Sequence, residues 1–377
     1  MHGNVRLGVD IGGTFTDLYL DAPDGPVSLK VLTTHRAPED GVIAGLGELL
    51  AKAGLGAADI GLVIHGTTLA TNALIERKGA RTALLTTEGY RDTLEIASES
   101  RFDVYDVDLD LPRPLVPRAL RLEVAERLAA DGSVLRPLDE PGVLRLIEGV
   151  LRPRAIEAVA VGLVHAYANP AHEQRIAALL RAALPDLAIS LSCEVSPEMR
   201  EYERFSTTVA NAYVQPLMDR YLGRLEARLR GLGIRAPLLL MLSGGGVTTV
   251  ETARRFPVRL VESGPAGGVI FASGVARDRR LDRVVSFDMG GTTAKLCLVE
   301  EGEARSSRSF EVARIYRFRK GSGLPLRIPV IEMVEIGAGG GSIARVDDLG
   351  RIAVGPDSAG SSLRLPSATA AAASGRP

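Results

Sequence analysis

The stretch that most constrains the fold of this chain occurs twice. Residues 9–20 read VDIGGTFTDLYL and residues 287–298 read FDMGGTTAKLCL, so an Asp-x-Gly-Gly-Thr turn between apolar strands recurs 278 positions apart (288 − 10). Two glycines at a hairpin tip are costly to order, since glycine loses more backbone freedom than any other residue. They also leave backbone N–H groups that can approach an anion with no Cβ in the way. In the first copy Asp10 ends the entering strand, and Gly12, Gly13, Thr14 and Thr16 form the tip and its exit. In the second, Asp288 precedes Gly290, Gly291, Thr292 and Thr293. Threonine hydroxyls add donors, and a carboxylate at the strand end can hold a hydrated Mg²⁺ beside phosphates. One such turn is a common hairpin; two matched turns suggest a polyphosphate held between two α/β halves. A duplication kept only for packing is the competing reading. It leaves aspartate at both strand ends and threonine at both exits unexplained.

Apolar periodicity supports those halves. VRLGVDI, TDLYLDA and PVSLKVLTT predict three consecutive strands, with APDG turning the second into the third. Pro38 opens a helix through Gly54, with acidic residues in its first turn. GLVIHGTT, RTALLTT, IEAVAVGLV and LAISLSCEV read as further strands, with helices over LATNALIERKG and HEQRIAALLRAAL. Residues 98–140, polar and broken by prolines, predict an irregular excursion off the main sheet. A long helix follows from Glu201 to Leu232, which Pro216 should kink or divide. PLLLML and VRLVES then predict strands, VETARRF and a segment from Gly267 helices, and RVVSFDM, AKLCLVEEG and VIEMVEIGAGGGSIARVD more strands around glycine turns. The alternation predicts an α/β fold in two lobes, residues 1–195 and 196–360, with 361–377 as a tail lacking a packed pattern.

Composition narrows the partners. A formal charge of −1 gives no electrostatic reason to expect nucleic acid or an anionic membrane. No apolar run approaches the ~20 residues that span a bilayer, and the N-terminus has no signal-peptide apolar region, so a cytoplasmic location is expected. The two cysteines, Cys193 and Cys297, read as reduced, partly buried side chains. No Cys/His spacing suggests zinc.

The paired turns resemble those of the actin, sugar-kinase and Hsp70 ATPase superfamily, which implies a two-lobed fold with ribonuclease H-like lobes. Six longer blocks carry a narrower resemblance: LGVDIGGTFTDLYL, HGTTLATNALIERKGARTALLTTEGYRDTLEI, EYERFSTTVANAYVQPLMDRYL, LSGGGVTTVETARRFPVRLVESGPAGGV, SFDMGGTTAK and IGAGGGSIARVD. Together they resemble the A subunit of the hydantoinase and oxoprolinase family, which includes subunits of ATP-dependent ketone carboxylases. The resemblance implies ATP and Mg²⁺ as cofactors, Gly12–Thr14 and Gly290–Thr293 as phosphate turns, and Asp10 and Asp288 as metal and catalytic positions. It also implies a site role for the glycine run with Gly339, Gly340 and Gly341, a cyclic amide or ketone as substrate, and a B-type subunit as partner.

His65-Gly66-Thr67-Thr68 ends a strand before a helix, so His65, Thr67 and Thr68 are candidate substrate or anion contacts; N-capping by a threonine is the plainer alternative. Ser243–Gly246 could line a nucleotide site or simply turn a strand into a helix, Ser263–Gly268 is read as a strand-to-helix turn facing the same cleft, and Lys295 and the acidic stretch 103–110 are read as solvated. After GRIAVGPDSAG the resemblance stops. Back-translated in the neighbouring frame, Thr369–Pro377 permits Tyr-Gly-Arg-Gly-Gly-Ile-Arg, which is family-like, so a frameshift near residue 360 is expected. The second lobe is then expected to be incomplete, with apolar surface uncovered. Three functions stay open: ATP-dependent cyclic-amide hydrolysis, ketone carboxylation, or an inactive remnant that only binds or assembles.

Overall fold

The first strand reaches from Val5 to Ile11 (β1) and folds back through the glycine turn into Phe15–Asp21 (β2) and Val27–Leu32 (β3), antiparallel throughout. The structure is a computed structural model and describes residues 5–34, 36–99, 101–291, 293–316, 319–336 and 338–358. Two compact units emerge, one of residues 1–267 with 306–331, the other of 268–305 with 332–377.

In the first unit a helix, Pro38–Ala53 (α1), leaves β3 with proline in its first turn and Glu39 and Asp40 near its N-terminus. It ends where Gly54 takes the left-handed conformation (φ 64°) and its N–H caps the last turn. Ile60–Thr67 (β4) then runs parallel to β1 on its other side, followed by Leu69–Ile75 (α2). A second sheet forms from Thr82–Thr87 (β5), Arg121–Val124 (β6), Ala158–Gly162 (β7) and, beyond the helix Ala171–Ala183 (α3), Ala188–Leu191 (β8). Its order is β8-β7-β5-β6, all parallel. The 31-residue helix Glu201–Gly231 (α4) buries a long apolar side against both sheets. Leu238–Met241 (β9) pairs parallel with β4, and Val247–Thr249 (β10) closes the first sheet in the order β10-β9-β4-β1-β2-β3.

Strand alternation gives the first sheet two different faces. Leu7, Val9 and Ile11 share one with their cross-strand partners Leu20, Leu18 and Thr16, and with Val63, His65 and Thr67 of β4. That face is packed beneath α1 and α4: Gly45 of α1 lies so close that a Cβ there would sit 2.8 Å from Leu18 Cδ1. Asp10 lies on the opposite face, cross-strand from Asp17.

The second unit takes up within the helix Ser263–Arg279 (α5). Arg283–Met289 (β11) and Ala294–Glu300 (β12) form an antiparallel hairpin, and Val334–Ile336 (β13) pairs with β12.

The α/β class expected from the sequence is what the structure has. Several local expectations change. Residues 196–267 join the first unit, because β9 hydrogen-bonds to β4. The 98–140 excursion contains a sheet strand, β6, whose alternating Arg121 and Glu123 disguised it; Arg121 is buried, its guanidinium donating to the Val116 carbonyl and paired with Glu95. VRLVES is not a strand but a 3₁₀ turn, Pro257–Leu260, leading into α5 at Ser263 rather than Gly267. LSCEV stops extending at Leu191, and Ser192–Val195 turns helical. Pro216 lies inside one continuous helix. The tail 361–377 lies outside the described residues.

Candidate functional site

At the first turn, the Gly12 N–H donates to the Phe15 carbonyl (2.9 Å), closing the tip. Thr33 holds it from β3's end: its hydroxyl donates to the Gly12 carbonyl (3.0 Å) and its N–H to the Thr14 carbonyl (3.0 Å). Gly13 is exposed at the tip and Thr14 half-buried. Thr16, expected to face a ligand, is fully buried, with its hydroxyl 3.1 Å from that of Thr33. Strand alternation is the reason: Thr16 pairs with Ile11 on the apolar face.

Behind the tip, Asp10 lies against two glycines from distant segments. A Cβ at Gly66 or at Gly264 would come within 2.8 Å of Asp10 Oδ1. Neither backbone could approach the carboxylate so closely with a side chain. Glu262, two residues before Gly264, is buried at φ 64°, a left-handed conformation that non-glycine residues adopt mainly under constraint. Its N–H donates to Thr71 Oγ1 (3.0 Å), and the Ser263 hydroxyl donates to the Thr67 carbonyl (3.2 Å). The 262–264 turn is thereby locked onto the end of β4.

Of the three expected substrate contacts, His65 is interior, 1% exposed. Its Nδ1–H donates to the Val9 carbonyl (3.1 Å) and its Nε2 accepts from the Tyr221 hydroxyl (2.7 Å). Burial lowers its pKa to about 4, against a smaller raising effect of the Val9 carbonyl, so the ring is neutral at pH 7. Thr67 is also buried. Thr68 is half-buried, its hydroxyl donating to the Ile11 carbonyl (3.1 Å) and accepting from Asn72 Nδ2 (3.3 Å). These residues fasten β4 and α2 to the glycine turn, and only Thr68 keeps surface area for a ligand.

The second turn repeats the first in register. Asp10↔Asp17 and Asp288↔Lys295 are equivalent cross-strand pairs, and Gly290 N–H donates to the Thr293 carbonyl (2.9 Å) as Gly12 does to Phe15. Asp288 and Gly290 are exposed; Thr292 lies outside the described residues. The later glycine run clasps this turn from beside it. Gly340 and Gly341 donate their N–H groups to the Gly290 and Gly291 carbonyls (3.0 and 2.7 Å), and Gly339 donates to Ser342 Oγ (2.9 Å). Of these three glycines, expected to bind cofactor, Gly340 and Gly341 spend their amides bracing the turn and Gly339 spends its own on Ser342; Gly337, at the start of the run, lies outside the described residues. Among the described residues no cluster of three metal-ligating side chains occurs. A hydrated Mg²⁺ held by one carboxylate and phosphate oxygens needs no such cluster, and a carboxylate beside an uncluttered glycine tip fits it.

Residues 6–184 match the model of the hydantoinase/oxoprolinase N-terminal region, and residues 204–374 match the hydantoinase/oxoprolinase model. The chain belongs to the hydantoinase/oxoprolinase family. The second match runs to residue 374, past Gly360, where the sequence blocks placed its end. Among family relatives, the caprolactamase alpha subunit of Pseudomonas jessenii is 40% identical over 364 residues, 94% of this chain and 51% of the relative. 5-Oxoprolinase 1 of Arabidopsis thaliana is 31% identical, covering 96% of this chain and 30% of the relative. The crystal structure of the ATP-dependent caprolactamase superposes with a TM-score of 0.81 at 38% identity, covering 94% of this chain and 51% of that one. Nucleotide-free acetone carboxylase superposes equally well, with TM-score 0.81 at 27% identity and the same coverage. The chain thus spans about half the length of the first relatives it matches, or less. No helix among the described residues is long and apolar enough to cross a membrane.

The sequence reading set the turn holding Gly264 toward the cleft but did not pair Gly66, Gly264 or Glu262 with Asp10. The glycine-rich ESGPAGG run was the available signal, but nothing in it says which carboxylate it meets.

Proposed function

We propose that this chain is the nucleotide-binding part of an ATP-dependent hydrolase that opens a cyclic amide. The observation that carries this reading is the pair of register-matched Asp-x-Gly-Gly-Thr hairpins, each tied down by its own unit. Taken each by itself, the first tip with the amides of Gly13 and Thr14 and the second with that of Thr293 would receive phosphate oxygens, and Asp10 and Asp288 are the residues that would hold Mg²⁺, which when bound would neutralise phosphate charge. The γ-phosphoryl passes to the amide oxygen: the bond to the bridging oxygen of ADP breaks as the new P–O bond forms. Water then adds to the activated carbon, the ring C–N bond breaks as the departing nitrogen takes a proton, and a second water hydrolyses the resulting acyl phosphate to carboxylate and phosphate. The chain's own contribution is positioning and charge stabilisation. Thr68 is the candidate substrate contact, and His65 and Thr67 act from behind it as braces. The names of the caprolactamase and 5-oxoprolinase relatives support the substrate class. A hydantoinase B-type subunit is the proposed partner and the cytoplasm, where ATP is abundant and Cys193 and Cys297 stay reduced, the proposed location.

The test is ADP release by the chain with a B-type subunit, in the presence of hydantoin, 5-oxoproline or caprolactam. Asp10→Ala and Asp288→Ala should each lower the rate at least 100-fold; retained turnover in both would remove the proposed roles. The likeness to acetone carboxylase supports a second reading, ketone carboxylation, for which turnover would require bicarbonate. A folded chain that gives no heat with Mg-ATP in calorimetry would point to a remnant that only assembles.

A further inference from the structure

The two hairpins carry equivalent polar lines whose charges come in a different order. On the face that holds Asp10, the cross-strand register runs Asp10↔Asp17↔Lys30 through β1, β2 and β3. On the corresponding face of the second unit it runs Asp288↔Lys295↔Glu335 through β11, β12 and β13. The first line reads acid, acid, base outward from the turn strand; the second reads acid, base, acid. In the first, the cation stands two strands from Asp10, at the sheet edge. The Lys30 ammonium pairs there with Asp17 (2.6 Å), 5.0 Å from the centre of the Phe15 ring, on a side chain 55% exposed. In the second, Lys295 stands directly opposite Asp288, and its side chain is only 13% exposed, where the sequence reading left it in solvent. Its ammonium lies 4.0 Å from Glu335 Oε1, an ion pair too long to be a hydrogen bond, and the Glu335 side chain is 53% exposed.

Lysine is seldom withdrawn from water unless its charge has anionic company. A structural bridge between Asp288 and Glu335 is the plainer role, and it accounts for the charge. It does not account for the place. Both hairpins end the entering strand in aspartate, but Asp10 has Asp17 on one side and Gly66 on the other, and only Asp288 has a cation as its cross-strand neighbour. Lys295 also lies two residues beyond Thr293 at the tip, about 7 Å along the strand. A flexible four-carbon stem covers that distance with no change in the backbone, and its compact ammonium suits a phosphate oxygen. We propose that Lys295 is the phosphate-contacting cation of the second turn. Glu335 holds the ammonium beside the empty turn, and the ammonium passes to an oxygen of the nucleotide's polyphosphate when the turn is filled. The assignment rests on the nucleotide-binding role proposed above. It adds a charge-neutralising group that the chain itself supplies at one turn and not at the other.

Calorimetric titration of the chain with Mg-ATP tests this, with AMP as the single-phosphate control. Lys295→Met should weaken Mg-ATP binding by about 10-fold or more and AMP binding by less than about 2-fold. Lys295→Arg, which keeps the charge, should recover most of the loss. The dependence of Mg-ATP affinity on salt should become shallower in Lys295→Met and stay the same in Lys30→Met, the outer-strand lysine of the first unit. Glu335→Gln separates a ligand contact from a structural bridge: it should keep or tighten Mg-ATP binding, with circular dichroism unchanged in every variant. Unchanged Mg-ATP affinity in Lys295→Met, or equal losses in Lys295→Met and Glu335→Gln, would overturn the assignment and leave the nucleotide site standing. A wild-type chain that gives no heat with Mg-ATP would remove both.

Discussion

At the scale of single residues, the contact with most consequence is between Asp10 and the two glycines beside it. Gly66→Ala or Gly264→Ala places a methyl 2.8 Å from Asp10 Oδ1, closer than any real Cβ contact, so either the carboxylate or the backbone must move. Both variants should fold and both should lose at least 10-fold in Mg-ATP affinity by calorimetry, since a site misplaced by about 1 Å loses on the order of 100-fold in rate. Unchanged affinity in both would mean that Asp10 does not meet the nucleotide. The identities of Asp10, Gly12 and Gly13 were legible in the sequence because the turn is local. The roles of Gly66 and Gly264 were not, because their contact with Asp10 joins three segments far apart in the chain. For Thr16 and Gly339–Gly341 the motifs did not show what the atoms do: the Thr16 hydroxyl is buried beside Thr33, and the glycine amides are donated within the second unit. Which way a hydroxyl points, or where an amide is already spent, depends on neighbouring strands that a motif does not contain.

At the scale of elements, the tie between β4 and α4 runs through His65 and Tyr221. Because the folded pKa of His65 is lowered to about 4 from 6.5, the unfolded chain binds the proton more readily. Stability from this group is therefore complete above about pH 6.5 and declines as pH falls toward 4. Denaturant melts should show a loss of about 2 kcal/mol between pH 7.5 and pH 5 from this group. His65→Gln should flatten that part of the slope, and an unchanged slope would exclude His65 as its source. The strands with clear alternation or continuous apolar runs, β1, β4, β5 and β7, were all legible. β6 was not, because its Arg121 is buried by pairing with Glu95, and pairing is a tertiary event. Pro257–Leu260 has the apolar content of a strand, but Pro257 lacks an N–H for a ladder, and the chain needed a tight turn into α5.

At the scale of the whole molecule, both hydrophobic clusters among the described residues belong to the first unit. The second unit buries mostly small side chains, among them Ala276, Ala294 and Cys297. Amide hydrogen exchange should therefore be slowest in β1, β4, β5 and β7, and at least 100-fold faster in β11 and β12. Equal protection would mean that the hairpin has a core these residues do not reveal. The repeat itself was legible as a motif spaced 278 positions apart, and uncovered apolar surface on the later lobe was expected; which side chains stay exposed, Val285, Phe287 and Met289 among them, was not, since the second hairpin's residues are as apolar as those of the first. One consequence belongs to the clasps on the two glycine tips, Thr33 on one and Gly340 with Gly341 on the other. Each loop is tied by a remote stretch of its own unit during folding, so a phosphate of the kind proposed above would find the tip already shaped. Capture at either tip would then be a question of diffusion and orientation, with no segment left to wait for.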